Sequence, residues 1–144
     1  MKFLDAFFAN AADVGPDGRC FVLGGGIEGI IVNSIPTVIP AVALFLRIRF
    51  DRQECGQTHT LRLDLSCPDG SNREAVVEAQ LAPNADHRSL REGATTQVAM
   101  SVYGIPVNKS GEFSFNLLLN GETIVAVPLN VVLEPLDQRA SRDG

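Results

Sequence analysis

The segment GEFSFNLLLNGETIVAVPLNVVL, residues 111–133, has the pattern of a β-hairpin. The apolar side chains of its first half fall at alternate positions and so share one face of a strand: Phe113, Phe115, Leu117 and Leu119. Asn120-Gly121 follows, a pair that two-residue hairpin turns favour because both positions need positive φ. The second half alternates again, at Val125, Val127, Leu129 and Val131. Pro128 has no N–H, so we expect the returning strand to be a sheet edge there, or to turn its donor side to solvent.

Short apolar runs separated by turn residues continue this pattern through the chain. Residues 60–66 alternate, with Leu61, Leu63 and Leu65 on one face, and end at a Pro68-Asp69-Gly70 turn. Further strands are predicted at residues 3–12, 19–24, 41–50, 74–81 and 96–103, with 19–24 pairing back on the first run. No window of ten residues shows a convincing helical period, although residues 86–93 could form one helical turn. We therefore predict an all-β fold, a single antiparallel β-sandwich of immunoglobulin or C2 type with about eight strands and little or no helix. It spans residues 1–134, and residues 135–144 form a polar, disordered tail.

A glycine-rich stretch, CFVLGGGIEGIIV at residues 20–32, matches the dinucleotide-binding spacing G-x-G-x-x-G at Gly24, Gly26 and Gly29. That fingerprint requires a helix after the last glycine. Here β-branched residues follow, and then Pro36, so the segment is a poor helix former. We interpret Gly24–Gly26 as a bend or bulge between two strands, and Gly29 as a second irregularity or a point of close backbone approach. No cofactor is expected.

The charge of the chain argues against two classes of partner. It has 12 Lys and Arg against 17 Asp and Glu, a net charge of −5. A protein that binds nucleic acid or an anionic membrane needs a basic patch on its surface. The densest basic cluster in this chain is only His87, Arg88 and Arg91. We expect neither nucleic acid nor membrane as a partner.

Three cysteines, an odd number without paired spacing, fit free thiols in a reducing cytoplasm. Asp5 and Asn10 interrupt the apolar start, which is too short for a secretory signal, and Met1 at the start of the chain argues against cleavage. We therefore predict a cytoplasmic protein.

Metal-binding and catalytic alternatives have weaker support. Asp13 and Asp17 in one loop, with Asp51 or Asp69 from other loops, could form a C2-like calcium cup, but they are also ordinary turn formers. His59 is a further candidate ligand there. Cys55, His59, Cys67 and His87 could meet around zinc, yet only Cys55 and His59 are closely spaced. No G-x-S-x-G is present and no residue is indicated as a nucleophile, so we expect no enzyme.

The leading hypothesis is a non-enzymatic module that acts through a protein partner or self-association. The apolar segment IPTVIPA, residues 35–41, would be an interaction patch if exposed and a stiff connection if covered. Its predicted contact residues are Ile35, Pro36, Val38, Ile39 and Pro40. The outer face of FLRIRF, residues 45–50, and the edge near Pro128 are further candidates. Binding of a small ligand or ion at the loop ends remains the alternative.

The order of features resembles a bacterial family of small all-β proteins of unknown function. The matching stretches are Ala11-Ala12, Gly18, FVLGG (21–25), IPTVIP (35–40), ALFLRI (43–48), Pro68-Asp69-Gly70 and the hairpin at 113–132. The resemblance implies a β-sandwich and no known activity, and it transfers no site residue. Where that family often has His before the second proline of its FPxVHP-like segment, this chain has Ile39, so no ligand role is carried over there.

Overall fold

The computed structural model describes residues 1–16, 19–83 and 93–135. Within these residues the chain forms ten β-strands and no helix: β1 (Lys2–Ala9), β2 (Ala11–Val14), β3 (Cys20–Leu23), β4 (Gly29–Val32), β5 (Thr37–Phe50), β6 (His59–Ser66), β7 (Asn72–Leu81), β8 (Ala94–Val107), β9 (Gly111–Leu119) and β10 (Glu122–Leu133). The all-β class is therefore confirmed. The described part of the chain contains no helix of the length and apolarity that a membrane crossing requires. The predicted helical turn, apart from Gly93, and the predicted tail, apart from Pro135, lie outside the described residues.

The strands form three sheets. One has three strands in the order β1-β5-β8, one has five in the order β4-β10-β9-β6-β7, and β2 and β3 form a two-stranded ribbon. All pairs are antiparallel except β4 with β10, which run parallel over four residues each. The prediction of about eight strands, all antiparallel, is corrected on both points. The first apolar run breaks at Asn10 into β1 and β2, so the second run, as β3, pairs with β2 and not with β1.

One buried core joins the two larger sheets. Its members from the five-stranded sheet are Val32 of β4 and nine residues that alternation predicts: Leu61, Leu63, Leu65, Phe113, Phe115, Leu117, Leu119, Leu129 and Val131. From the other sheet, Phe8 meets Phe115 edge-on, with 4.9 Å between the ring centroids. Burial of apolar area at about 25 cal/mol per Å² makes this cluster the main source of stability.

The predicted hairpin is confirmed as β9 and β10. Asn120 and Gly121 form its turn with φ of 52° and 86°, the positive values that a type I′ turn requires. Val125 and Val127 are only half-buried, because they lie at the less covered end of β10.

The glycine-rich stretch forms strand, bend and strand. β3 ends at Leu23, Gly24 and Gly26 have φ of 64° and 85°, and β4 begins at Gly29. A Cβ on Gly29 would lie 3.2 Å from the carbonyl oxygen of Asn130, so the backbones approach closely there, as the sequence predicts. A strand follows where the dinucleotide fingerprint would need a helix.

The β2–β3 ribbon packs on the outer side of the three-stranded sheet, where β2 contacts β5 and β8. Phe7 and Phe45 pair on that side, with ring centroids 5.0 Å apart. The segment after β3 passes over this ring pair, since a Cβ on Gly25 would meet the Phe7 ring at 3.1 Å. The middle of this sheet is therefore covered on both faces, and Phe45 is buried.

In β5 and in β8 the alternation of buried and exposed residues is interrupted, and the two interruptions lie opposite each other. In β5 the buried positions run through Val42, Leu44 and Leu46, but Ile39 is also buried and two consecutive residues, Pro40 and Ala41, are exposed. Opposite them lie Tyr103, also exposed, and Gly104, whose φ is 64°. This switch decides which residues of the predicted interaction segment reach the surface.

Candidate functional site

The predicted interaction segment is divided between surface and core. Pro36, Val38 and Pro40 are exposed, and Val38 retains 56% of its accessible area. Ile39 is only 5% exposed and belongs to the core, and Ile35 packs partly against it. The prediction of Ile39 as a contact residue is thus corrected: the switch in β5 turns it inward. The Ile35–Pro36 peptide bond is cis.

Val38 belongs to a larger apolar surface that the sequence did not indicate. Ile31 of β4 is 52% exposed and lies beside Val132 of β10, its register partner in the parallel pair, which is also exposed. Ile31, Val38 and Pro40 together line an open groove of about 270 Å³. We call these three residues, with Val132 beside Ile31, the neutral patch. No charged side chain is among the described residues that line the groove itself.

The outer face of residues 45–50 is not an open apolar surface. Phe45 is buried and its ring packs against that of Phe7, so this end of the segment has no apolar surface for a partner. Arg47 is exposed and pairs with Asp5 of β1 at 3.3 Å, and Arg49 donates to the hydroxyl of Thr95.

The edge near Pro128 borders an open groove of about 680 Å³ between the two larger sheets. Its walls come from β1, through Phe7, and from β10, through Val127 and Pro128, and the segment around Ile27 closes it. Ile27 forms an isolated bridge with Phe8, and Asn130 donates its N–H to the carbonyl of Glu28 at 3.1 Å. We call this the seam groove. The lack of an N–H at Pro128 was its one signal in the sequence.

A second exposed apolar element is β3. Phe21 and Leu23 keep 63% and 69% of their accessible area, and β3 pairs only with β2 among the described strands. The sequence predicted a strand here and did not indicate that its side chains are exposed. Their exposure follows from the position of β3 at the outer edge of a ribbon.

The aspartates proposed as a calcium cup are not brought together. Asp13 accepts from the N–H of Val14, Asp51 contacts the amino group of Met1, and Asp69 accepts from the N–H and hydroxyl of Ser71. Asp17 lies outside the described residues. Among the residues that the structure describes, no three His, Cys, Asp or Glu side chains are grouped as a metal site. Each described aspartate therefore has the turn or surface role that was the alternative.

His59 is buried, with 4% exposure, and not a loop ligand. Its ring stacks on Phe50, with 4.8 Å between centroids, Nε2 lies 2.9 Å from the carbonyl oxygen of Glu54, and Nδ1 lies 3.0 Å from the amide nitrogen of Asn120. Both ring nitrogens thus have partners within the fold. His87, the other predicted zinc ligand of this type, lies outside the described residues.

Asp64 of β6 accepts three hydrogen bonds within the five-stranded sheet. It accepts two hydrogen bonds from the guanidinium of Arg62, both at 3.0 Å, and one from the N–H of Ala75 at 2.8 Å. The β6–β7 register shifts at this point, so β7 bulges and Ala75 takes a φ of 52°. Partial burial alone would raise the pKa of Asp64, but the Ala75 N–H and Arg62 outweigh it and hold that pKa below its ordinary value. This network is structural: it stabilises a bulge on an edge strand.

Comparison with known proteins identifies relatives of unknown function and a similarity of fold. The model of a family described as a family of unknown function, DUF6941, matches residues 4–132. No curated protein matches the sequence significantly. Among solved structures, the chain is similar to Pseudomonas fluorescens alkylpurine DNA glycosylase AlkC bound to DNA containing an abasic site analog, with a TM-score of 0.50 and 10% identity. The similarity covers 88% of this chain and 30% of the glycosylase chain, and at this identity it concerns the fold alone.

Proposed function

The chain belongs to DUF6941, a family of unknown function, and we propose that it is a non-catalytic interaction module that self-associates through the neutral patch. The observation that carries this proposal is the pair Ile31 and Val38, each more than half exposed around one groove with no charged side chain in its described lining. Contiguous exposed apolar surface is typical of interaction sites.

A second copy of the chain is the occupant for which the uncharged lining of the groove is suited. With a net charge of −5, two copies repel each other over most of their surfaces. Contact at an uncharged surface keeps carboxylates from being buried against carboxylates. In a two-fold dimer the same patch meets itself, so a neutral apolar surface is complementary to its own copy.

The non-catalytic part of the proposal is supported by His59. Both of its ring nitrogens are engaged within the fold, so this histidine is not placed for general acid–base work. Three free cysteines support a cytoplasmic location. The core shared by the two larger sheets supports a sandwich of immunoglobulin or C2 type as the architecture.

We propose no role in nucleic-acid binding, although the glycosylase similar in fold is bound to DNA. The net charge opposes contact with phosphates, and the larger groove described above carries two glutamates, Glu28 and Glu112, among its lining residues. Fluorescence anisotropy with labelled duplex DNA at low salt should show no binding up to about 10 µM protein. Saturable binding in that range would contradict this part of the proposal.

Sedimentation velocity on the protein and three variants tests self-association. We expect the unaltered chain to dimerise, and Val38→Asp to be monomeric while it keeps a cooperative urea unfolding transition, with a midpoint lowered by no more than the loss of dimerisation explains. Leu23→Asp is the matched control, since it places the same charge on an exposed apolar residue outside the patch, and it should remain dimeric. Ile39→Asp should instead unfold the protein, because burying that carboxylate costs about 3 kcal/mol or more.

A monomer of the unaltered chain at about 100 µM would overturn the proposal, since a contact that weak is outside the range of specific dimers. A folded Val38→Asp variant that still dimerises would also overturn it.

A further inference from the structure

The seam groove lies between two strand edges that have open backbone positions. β1 is the outer strand of its sheet and pairs with β5 on one side. On its other side, Gly26 and Ile27 donate their N–H groups to the carbonyl of Phe8 and part of β1 comes close to β10, so the open part of this edge lies between Phe3 and Phe7. β10 is joined by β4 only from Asn130 onward, so its earlier half also has an open edge within the described residues. Open edges of this kind accept an added strand.

The two edges are not equivalent. Pro128 of β10 lies on the groove and has no N–H to donate, which interrupts the hydrogen-bonding pattern that an added strand would need. β1 contains no proline, although its register with β5 shifts between Phe3 and Asp5 and the carbonyl of Phe8 is already bonded to the N–H groups of Gly26 and Ile27. An incoming strand would therefore pair with β1 and rest its side chains against Val127 and Pro128.

The charges on the groove specify the chemistry of that strand. Glu112 is the register partner of Asn130, and the carbonyl of Glu28 accepts the N–H of the same asparagine, so both glutamates flank one point of β10. Both are exposed, and no Lys or Arg is among the described residues that line the groove. The apolar part of the lining includes Phe7, Ile27, Val127 and Pro128.

We propose that the seam groove binds an extended segment of a partner protein that adds as a strand to β1, with apolar side chains on the groove and a Lys or Arg between Glu28 and Glu112. Side chains of a strand alternate between its faces, so a segment that alternates basic and apolar residues satisfies both requirements. The groove volume of 680 Å³ is adequate for several such side chains. This site is separate from the neutral patch and does not depend on self-association.

Fluorescence anisotropy with a defined probe tests the proposal. The probe is a labelled peptide of about eight residues that alternates lysine with valine, and its counterpart alternates glutamate with valine. We expect the lysine peptide to bind and the glutamate peptide not to bind. Glu28→Gln with Glu112→Gln should weaken binding about fivefold to tenfold, as expected for the loss of two exposed charge pairs.

The matched control keeps the overall charge change the same. Glu74→Gln with Glu78→Gln removes two exposed carboxylates from β7, at the other edge of the five-stranded sheet. Affinity should change less than about twofold in this control. Equal weakening in both double variants would show non-specific attraction to an acidic protein and overturn the proposal, as would absence of binding by the lysine peptide up to about 1 mM.

Strand addition has its own readout. N-methylation of alternate amides in the probe removes backbone donors and keeps side chains and charge. We expect the affinity to fall at least about tenfold for the methylation pattern that blocks the β1-facing amides. Equal affinity of both methylated forms and the parent peptide would overturn pairing with β1. Sedimentation velocity on the same samples separates this test from that of the neutral patch.

Discussion

The side-chain amide of Asn120 donates a hydrogen bond to Nδ1 of His59 across 3.0 Å. The orientation of this amide is determined by its oxygen, which accepts the N–H of Thr60 at 2.9 Å. Nδ1 is therefore an acceptor, so the neutral ring carries its proton on Nε2 and donates it to the carbonyl of Glu54. One buried imidazole thus connects the β9–β10 turn to the loop that follows β5.

We expect a measurable coupling energy between these two residues. Asn120→Gly keeps the positive φ of the turn but removes the amide, and His59→Phe keeps a ring to stack on Phe50. Each change should lower the free energy of unfolding by about 1–2 kcal/mol, because a buried polar group loses its partner. In a double-mutant cycle measured by urea unfolding, the coupling should be about 1 kcal/mol. Additive effects would mean that the hydrogen bond contributes nothing to stability.

Asp64 makes stability depend on pH in the acid range. Its pKa is lower in the folded chain than the ordinary value of 3.8, so its contribution is present above that value and is lost as the pH falls through the folded-state pKa. Asp64→Asn should lower the free energy of unfolding by about 1 kcal/mol at pH 7 and by less at pH 2.5. Urea midpoints at both pH values measure this difference.

Glu122→Gln is the control for the acid measurement, because Glu122 is exposed at the start of β10. Its effect on the urea midpoint should be below about 0.5 kcal/mol at both pH values. If Asp64→Asn costs the same at pH 2.5 as at pH 7, the charge of Asp64 has no part in holding the bulge.

Local patterns predicted the strands because a strand's faces are determined by its own alternation. Leu61, Leu63 and Leu65 are buried as expected, and Asn120-Gly121 is the turn that its dipeptide indicates. Both features depend on neighbours two or three residues away. The family resemblance is likewise confirmed, because DUF6941 covers residues 4–132.

The candidate sites were harder to predict from the sequence, because contacts with distant parts of the chain decide which of their residues are exposed. Ile39 is buried through a switch shared by β5 and β8, and Phe45 is covered by a ribbon that follows β1. The seam groove needs the parallel pairing of β4 with β10, which joins residues about a hundred positions apart. Alternation within one strand contains no information on any of these contacts.

Ala75 offers a route to greater stability. Its φ of 52° is unfavourable for a residue with a Cβ, by about 1 kcal/mol, whereas glycine accepts it without cost. We expect Ala75→Gly to raise the free energy of unfolding, or to leave it unchanged within about 0.5 kcal/mol. Ala79→Gly in the same strand is the control and should lower it by about 1 kcal/mol. Equal losses in both variants would contradict a left-handed bulge at Ala75.

Gly93 should tolerate no side chain. Its φ is 88°, and a Cβ there would collide with the carbonyl oxygen of Phe50, so the backbone of β5 or β8 would have to move. Gly26 has nearly the same φ, 85°, but a Cβ there meets no atom within 4 Å. Gly26→Ala should therefore cost only the conformational strain of about 1 kcal/mol, while Gly93→Ala should cost about 3 kcal/mol or more. Thermal and urea unfolding measure the loss of stability in the two variants, which is due to backbone strain alone in Gly26→Ala and to strain plus a steric clash in Gly93→Ala. Equal losses would show that β5 does not approach Gly93 closely.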